Sequence, residues 1–385
     1  MRIAHTGDLH IGKRLHEVSL LEDQKSMLEN ILNILQEKKV ELLVIAGDIY
    51  DKPTPSGEAV KVFDEFISQL AKREIKLVAI SGNHDSMERI SYGSRVMCSQ
   101  GIYFQENFSG KANKLVFQDD LGELNIYMVP FIKPVFVGKD SYEASFEHIL
   151  KESEVDYSKR NILVAHQFVT PTPLGDYELV LTEEGMPERC DSETKSIGGL
   201  DNISWELFSQ FDYVALGHLH RRQFVGKETI RYSGSPMKYS FSECHDIKSI
   251  EIVDIGKKGD VKIESVELPV VRDVRVVKGT MEQLTSKEVV FAEGVSNEDY
   301  ICAIVTDEDR VTDGAERLLR WYPNLLTIMY ERDIAEGQEL TVANIKGKTP
   351  YELFEEYYEM VNGKPMSKAQ SQVIHEILGG DMNEA

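Results

Sequence analysis

Six short apolar runs, each ending in a turn signal, constrain this chain more than anything else in it. They are Arg2 to Thr6, Leu42 to Ala46, Leu77 to Ile80, Ile126 to Val129, Ile162 to Ala165 and Tyr213 to Leu216. Runs this short, rich in Ile, Val and Leu, suit buried strands better than helices, which need ten or more residues to bury a face. Between the first three runs, Leu20, Met27, Leu28, Ile31, Ile34 and Leu35 fall on one helical face. Val60, Phe63, Phe66, Ile67 and Leu70 form a second. Strands alternating with amphipathic helices predict an α/β layered fold over residues 1 to about 220.

At 385 residues the chain exceeds what one hydrophobic core usually supports. From 222 to 279 the texture becomes Val, Ile and Thr alternation around Gly226, Gly234 and Gly256, which predicts hairpins added to one side of the sheet. After Pro269 come strand-like Val270 to Val277, a short helix near Met281 to Leu284, strand-like Tyr300 to Thr306, a helix from Gly314 to Trp321 and strand-like Leu325 to Tyr330. The expected division is a domain over 1–270, a small α+β capping module over 271–340 and a helix pair over 341–385. Pro350 opens the first of those helices, Asn362-Gly363 ends it, and Ser367 caps the second.

Charge and cysteine usage narrow the function classes. The net charge of -22 argues against a simple basic nucleic-acid binder. Its distribution matters more, because residues 1–110 hold 13 Lys and Arg against 16 Asp and Glu, and several of those acids are candidate metal ligands. Cys98, Cys190, Cys244 and Cys302 stand far apart, in no metal-binding or disulfide-dense spacing, so reduced thiols and a cytoplasmic location are expected. The start, MRIAHTGDLHIG, has no apolar signal core, and no run suits a membrane helix.

Five motifs follow the predicted strands in order: Asp8-x-His10, Gly47-Asp48, Gly82-Asn83-His84-Asp85, His166, and Gly217-His218-x-His220. Open α/β sheets place their sites at the carboxyl ends of strands. In extended chain, residues two apart point the same way, so Asp8 can share a centre with His10, and His218 with His220. Carboxylate, imidazole and one amide oxygen, without thiolate, suit a six-coordinate first-row ion such as manganese or iron. Seven such side chains exceed the needs of one ion, so a two-metal site is expected, bridged by Asp48. Two close ions create a nucleophile at neutral pH and clamp an in-line displacement at phosphorus. His166 alone in an apolar strand would more often be a core histidine; its four companions reverse that.

Together these motifs resemble the calcineurin-like metallophosphoesterase superfamily. GDLHIGK, GDIYDKP and GNHDS are similar to the nuclease subunits of bacterial SbcC-SbcD complexes. The resemblance implies a metallophosphoesterase β-sandwich flanked by helices, with Asp8, His10, Asp48 and His220 on one metal and Asp48, Asn83, His166 and His218 on the other. It implies that His84 contacts the scissile phosphate as acid or transition-state stabiliser. Some relatives carry a second histidine three residues after the bridging Asp; here that position is Asp51, which would orient a ligand or a lysine. Asp85 is expected to accept a histidine N–H, and Lys13-Arg14 and Arg221-Arg222 are candidates to grip phosphates.

The implied activity is manganese-dependent hydrolysis of DNA phosphodiesters: 3'-5' exonuclease on double strands, endonuclease and hairpin opening. The implied partners are DNA, the SbcC ATPase and a second copy of the chain, a homodimer within a heterotetramer. No Walker-type GxxxxGK[ST] occurs, so ATP would be handled by the partner. The 271–340 module would assist in binding DNA, and the aromatic helix over 351–361 would dock the ATPase. Residues 88 to 104, with Ile90, Tyr92, Val96, Met97, Ile102 and Tyr103, supply either a dimer interface or ordinary core. Two other functions compete. One is a phosphatase acting on a phosphomonoester or cyclic nucleotide; the other is a scaffold with a structural metal, which would need neither an open position nor a neighbouring acid.

Overall fold

The computed structural model describes residues 1–106, 108–170, 190–193, 202–292, 295–309 and 311–332, together with 366, 370 and 371. In chain order its main strands are β1 (Arg2–Thr6), β2 (Leu42–Ala46), β3 (Lys76–Ile80), β4 (Ile102–Phe104), β5 (Asn113–Asp119), β6 (Gly122–Val129), β7 (Arg160–His166) and β8 (Tyr213–Gly217). Then follow β9 (Gln223–Val225), β10 (Lys227–Tyr232), β11 (Ser249–Ile255), β12 (Val261–Glu267), β13 (Val274–Gly279), β14 (Tyr300–Val305) and β15 (Leu325–Tyr330). The long helices are α1 (Leu21–Glu37), α2 (Gly57–Lys72) and α3 (Tyr142–Glu152).

Two six-stranded mixed sheets, in the orders β12-β11-β1-β2-β3-β4 and β9-β10-β8-β7-β6-β5, lie face to face. Their inner faces bury Ile3, Val44, Val78, Ile126, Val164, Ala215 and Val253 in a shared core. Strands buried on both faces read as unbroken apolar runs, which is why β1, β2 and β8 are conspicuous in the sequence. Helices α1 and α2 cover the outer face of the first sheet; α3 covers the second. The result is the expected β-sandwich flanked by helices. Helices α2 and α3 begin at Ser56 and Ser141, whose hydroxyls accept from the amides of Ala59 and Ala144 at 3.2 and 3.1 Å.

Several boundaries and faces differ from expectation. The hairpins after residue 222 extend both sheets, β9-β10 the second and β11-β12 the first. Val60 is exposed, because Ala59 and Val62 carry the buried face of α2 at that turn. Of the 88–104 stripe, Ile90 and Ile102 are core, whereas Tyr92 and Val96 are 85% and 75% exposed, so ordinary core accounts for only part of it.

Strands β13-β14-β15 form a parallel three-stranded sheet over its own core, including Leu284, Val290, Ile301, Leu318 and Tyr322. It is fastened beside the start of α1: Asp23 accepts from Arg272 at 2.9 and 2.7 Å and from the Tyr300 hydroxyl at 2.7 Å. The expected helix pair over 341–385 lies outside the described residues, apart from residues 366, 370 and 371. No helix among the described residues is long and apolar enough to cross a membrane. All four cysteines are free thiols.

Candidate metal centre

Strands β1, β2 and β3 of one sheet, and β7 and β8 of the other, end at the same rim of the sandwich. Every predicted site residue sits at or just beyond one of these ends, and the structure brings all of them together. The Asp8 amide donates to the Gly47 carbonyl at 3.0 Å and the His10 amide to the Asp48 carbonyl at 2.9 Å, which laces the first two loops to each other. Asp8, His10, Asp48 and His218 have φ of 53°, 42°, 51° and 102°. Such left-handed backbone is uncommon for residues with a side chain and clusters where a site demands it. Gly82 makes the close approach possible, since a Cβ there would run into Asp48 Oδ1.

Asp8, His10, Asp48, His166, His218 and His220 are buried, and His84 is half-buried at the rim. One group of ligand atoms comes from Asp8, His10 and His220, a second from Asp8, Asp48 and His166, and a third from His10, Asp48 and His84. Asn83 Oδ1 stands 3.0 Å from His166 Nε2 and 3.1 Å from His218 Nδ1. Asp48 Oδ2 lies between the halves, 3.7 Å from His10 Nε2 and 3.5 Å from His166 Nε2. Its other oxygen accepts from the His84 amide at 2.8 Å. Asp8 and Asp48 each stand in two of the three groups, and Asp48 Oδ2 has a histidine of either half within 3.7 Å.

The donor chemistry fits divalent ions. His166 Nδ1 faces the Ala46 carbonyl at 2.8 Å. A carbonyl only accepts, so Nδ1 carries a proton, and Nε2 is the ring atom that faces Asn83 Oδ1 and Asp48. His10 Nε2 and His220 Nε2 face each other at 3.1 Å. Two buried carboxylates and these imidazole nitrogens thus converge on one space, a donor set that a divalent cation satisfies. Electrostatics points the same way. Burial disfavours a charged His166, yet Asp48 and Asp8 outweigh it and raise its pKa to about 9. Burial, reinforced by Asp48, pushes the Asp8 carboxyl up, while the surrounding imidazoles hold Asp48 well below the usual range despite its burial.

Other expectations divide. Among the described residues Asp85 accepts no histidine N–H; it takes the backbone amides of Ile49, Tyr50 and Gly82 at 3.0, 2.9 and 3.0 Å and so ties the second loop to the third. Asp51 does hold a lysine, Lys13 Nζ at 2.9 Å, and its carbonyl accepts from His84 Nδ1 at 3.0 Å. Of the basic pairs, Arg221 engages Asp246 and Arg222 the Ser249 hydroxyl. Ser192, Glu193, Tyr239, Glu243 and Lys248 surround His220 yet belong to none of the five motifs, so nothing in the sequence marks them as part of the site. A further group, Cys190, Glu243 and Asp246, has ligand-like spacing, but Lys248 Nζ lies 2.6 Å from Glu243 and 3.6 Å from Asp246 and already supplies the positive charge.

This fold and rim place the chain in the calcineurin-like phosphoesterase family, whose pattern it matches over residues 1–222, so it belongs to that family and is a metal-dependent phosphoesterase. Residues 270–362 match a second family, the type 5 capsule protein repressor C-terminal domain. Among individual proteins, the chain is similar to the SbcD component of the SbcCD nuclease of Staphylococcus epidermidis, at 29% identity over 98% of both chains. A dimetal phosphatase from Danio rerio covers 70% of this chain, and 99% of its own, at 10% identity and a TM-score of 0.37.

Proposed function

We propose that this protein is a manganese-dependent DNA nuclease that cleaves phosphodiesters with two bound metal ions. Its activities would be 3'-5' exonuclease on double strands, endonuclease and hairpin opening, in cytoplasmic DNA repair and recombination with an SbcC-type ATPase. The observation that carries this is the convergence of Asp8, His10, Asp48, Asn83, His166, His218 and His220 at one rim, in a chain similar end to end to a nuclease component. Asp8, His10, Asp48 and His220 would hold one ion, and Asp48, Asn83, His166 and His218 the other. The chemistry two such ions supply is Lewis acidity at phosphorus and a nucleophile at neutral pH.

The protein's own groups then set orientation and proton traffic. Asp48 fixes the His84 loop through the amide of that residue, and the Asp51 carbonyl keeps a proton on His84 Nδ1. Proton exchange with substrate therefore falls to His84 Nε2, which protonates the leaving oxygen or steadies the charge gathering on the phosphoryl group. Lys13, paired with Asp51 and 5.7 Å from the Tyr239 ring centroid, adds an ammonium beside the His10 and His220 end of the centre.

The 271–340 module would extend the DNA surface, residues 341–385 would dock the ATPase, and Tyr92 with Val96 would meet a second copy of the chain. Cleavage of linear, hairpin and single-stranded DNA, measured beside an aryl phosphomonoester across a series of metals, tests the substrate. Manganese-dependent DNA cleavage faster than ester hydrolysis is expected. The net charge of -22 favours the second reading, a phosphatase, and much faster ester turnover with the same metals would establish it instead.

A further inference from the structure

His220 differs from His166 and His10 in what stands behind it. His166 leans on a backbone carbonyl, and His10 Nδ1 has no hydrogen-bond partner, with Asp51 Oδ1 no nearer than 3.9 Å. Behind His220 runs a chain of side chains. Its Nδ1 is 2.7 Å from Ser192 Oγ, and the same Oγ is 2.7 Å from Glu243 Oε1. The Glu243 carboxylate is wholly buried, and its other oxygen accepts from Lys248 Nζ at 2.6 Å. Lys248 returns to the start of the chain, donating to the His220 carbonyl at 2.9 Å. The His220 amide donates to Glu193 Oε1 at 2.7 Å. Backbone and ring of one residue are thus gripped by a polar cluster that the metal-binding motifs do not contain.

A hydroxyl has one proton, and this decides the direction of the chain. Glu243, paired with the Lys248 ammonium, is ionised and only accepts. Ser192 must therefore spend its proton on Glu243 and offer a lone pair to His220, which donates from Nδ1. Nε2 is left as a bare lone pair, aimed toward His10 and the shared centre. The opposite tautomer would place the Ser192 oxygen against an unprotonated Nδ1 and point an N–H where an ion must bind.

We propose that Ser192, Glu243 and Lys248 form a positioning relay that fixes the tautomer and aim of His220, so that they govern the affinity of one of the two metal positions, the one shared by Asp8, His10 and His220. Ser192 and Glu243 stand behind the His220 ring and would act through it. The relay rests on the two-ion reading above. Partners standing behind metal-bound histidines typically change affinity by about 10- to 100-fold when removed.

The test is manganese binding to the full-length protein, followed by calorimetric titration and by electron paramagnetic resonance, with the melting temperature of the metal-stripped protein measured alongside. Ser192→Ala is expected to weaken one of two binding events by about 10- to 100-fold while sparing the other. At one manganese per chain it should show a mononuclear signal. Ser192→Thr, which keeps the hydroxyl, should restore tight binding. Glu243→Gln should weaken the same event, because an amide N–H there can donate to Ser192 and reverse the chain. The relay is overturned if Ser192→Ala binds both ions as wild type does, or if both events weaken equally while the stripped protein melts lower. Fewer than two ions on the wild-type chain would instead refute the two-ion reading, and the relay with it.

Discussion

At the scale of single residues, the centre separates groups that hold from groups that react. Asp48 touches both halves of the donor set, whereas His84 meets the centre from the rim with one ring nitrogen committed to the Asp51 carbonyl. His84→Ser should leave two manganese ions per chain and reduce kcat for DNA by about 10²- to 10⁴-fold, the usual range for a removed acid–base group. Retained turnover at wild-type rate would remove His84 from the reaction. The seven candidate ligands and His84 are legible because each belongs to a short polar motif directly after an apolar run. Ser192 and Glu243 are not, because a serine and a glutamate in surface-like sequence carry no spacing that tells a hydrogen-bonded partner from a solvated side chain. Asp85 reads in sequence as a histidine's acceptor, but its carboxylate instead takes three backbone amides, a demand that arises from loop geometry alone.

At the scale of elements, the strand ends position everything, and the glycines after them set how close the loops come. Gly82→Ala would drive a methyl group into Asp48 Oδ1 and the Asp48 amide. Overpacking of this kind costs about 1–3 kcal/mol; because the displaced group is the carboxylate proposed to bridge, manganese affinity should fall more than thermal stability does. Equal stability and affinity to wild type would show that the loop yields without moving Asp48. Central strands β1, β2, β3, β7 and β8 are recognisable because burial on both faces demands continuous apolar residues. The edge strands β4 and β5 are not. One is three residues long, and the other, Asn113–Asp119, interleaves exposed Lys114, Val116 and Gln118 with apolar positions. Edge strands meet solvent and lose the signal that central strands keep.

At the scale of the molecule, long-range ion pairs tie the layers together. Asp119 at the end of β5 receives Arg160 at 3.0 and 2.6 Å and the N-terminal ammonium at 2.9 Å, and Arg160 continues to the carbonyl of Gly256 after β11. Chiefly through Arg160, the Asp119 carboxyl is held well below its ordinary value of 3.8. A carboxyl whose folded pKa lies below its unfolded one binds fewer protons when folded, so its contribution to stability is fully present above about pH 4 and fades as pH falls toward the folded value. Asp119→Asn should therefore cost about 1.5–3 kcal/mol at neutral pH, the range for charge-assisted hydrogen bonds. In urea unfolding the difference from wild type should shrink steadily below about pH 4. A difference independent of pH would mean that the side chain acts by shape alone.

The most direct measurement is the manganese stoichiometry of the full-length protein and of Asp48→Asn by equilibrium dialysis. Two ions per wild-type chain, and weakened binding at both positions in the variant, are the expected result. One ion or none on the wild-type chain, or two ions held by Asp48→Asn with undiminished affinity, would contradict a paired-metal centre joined by that carboxylate.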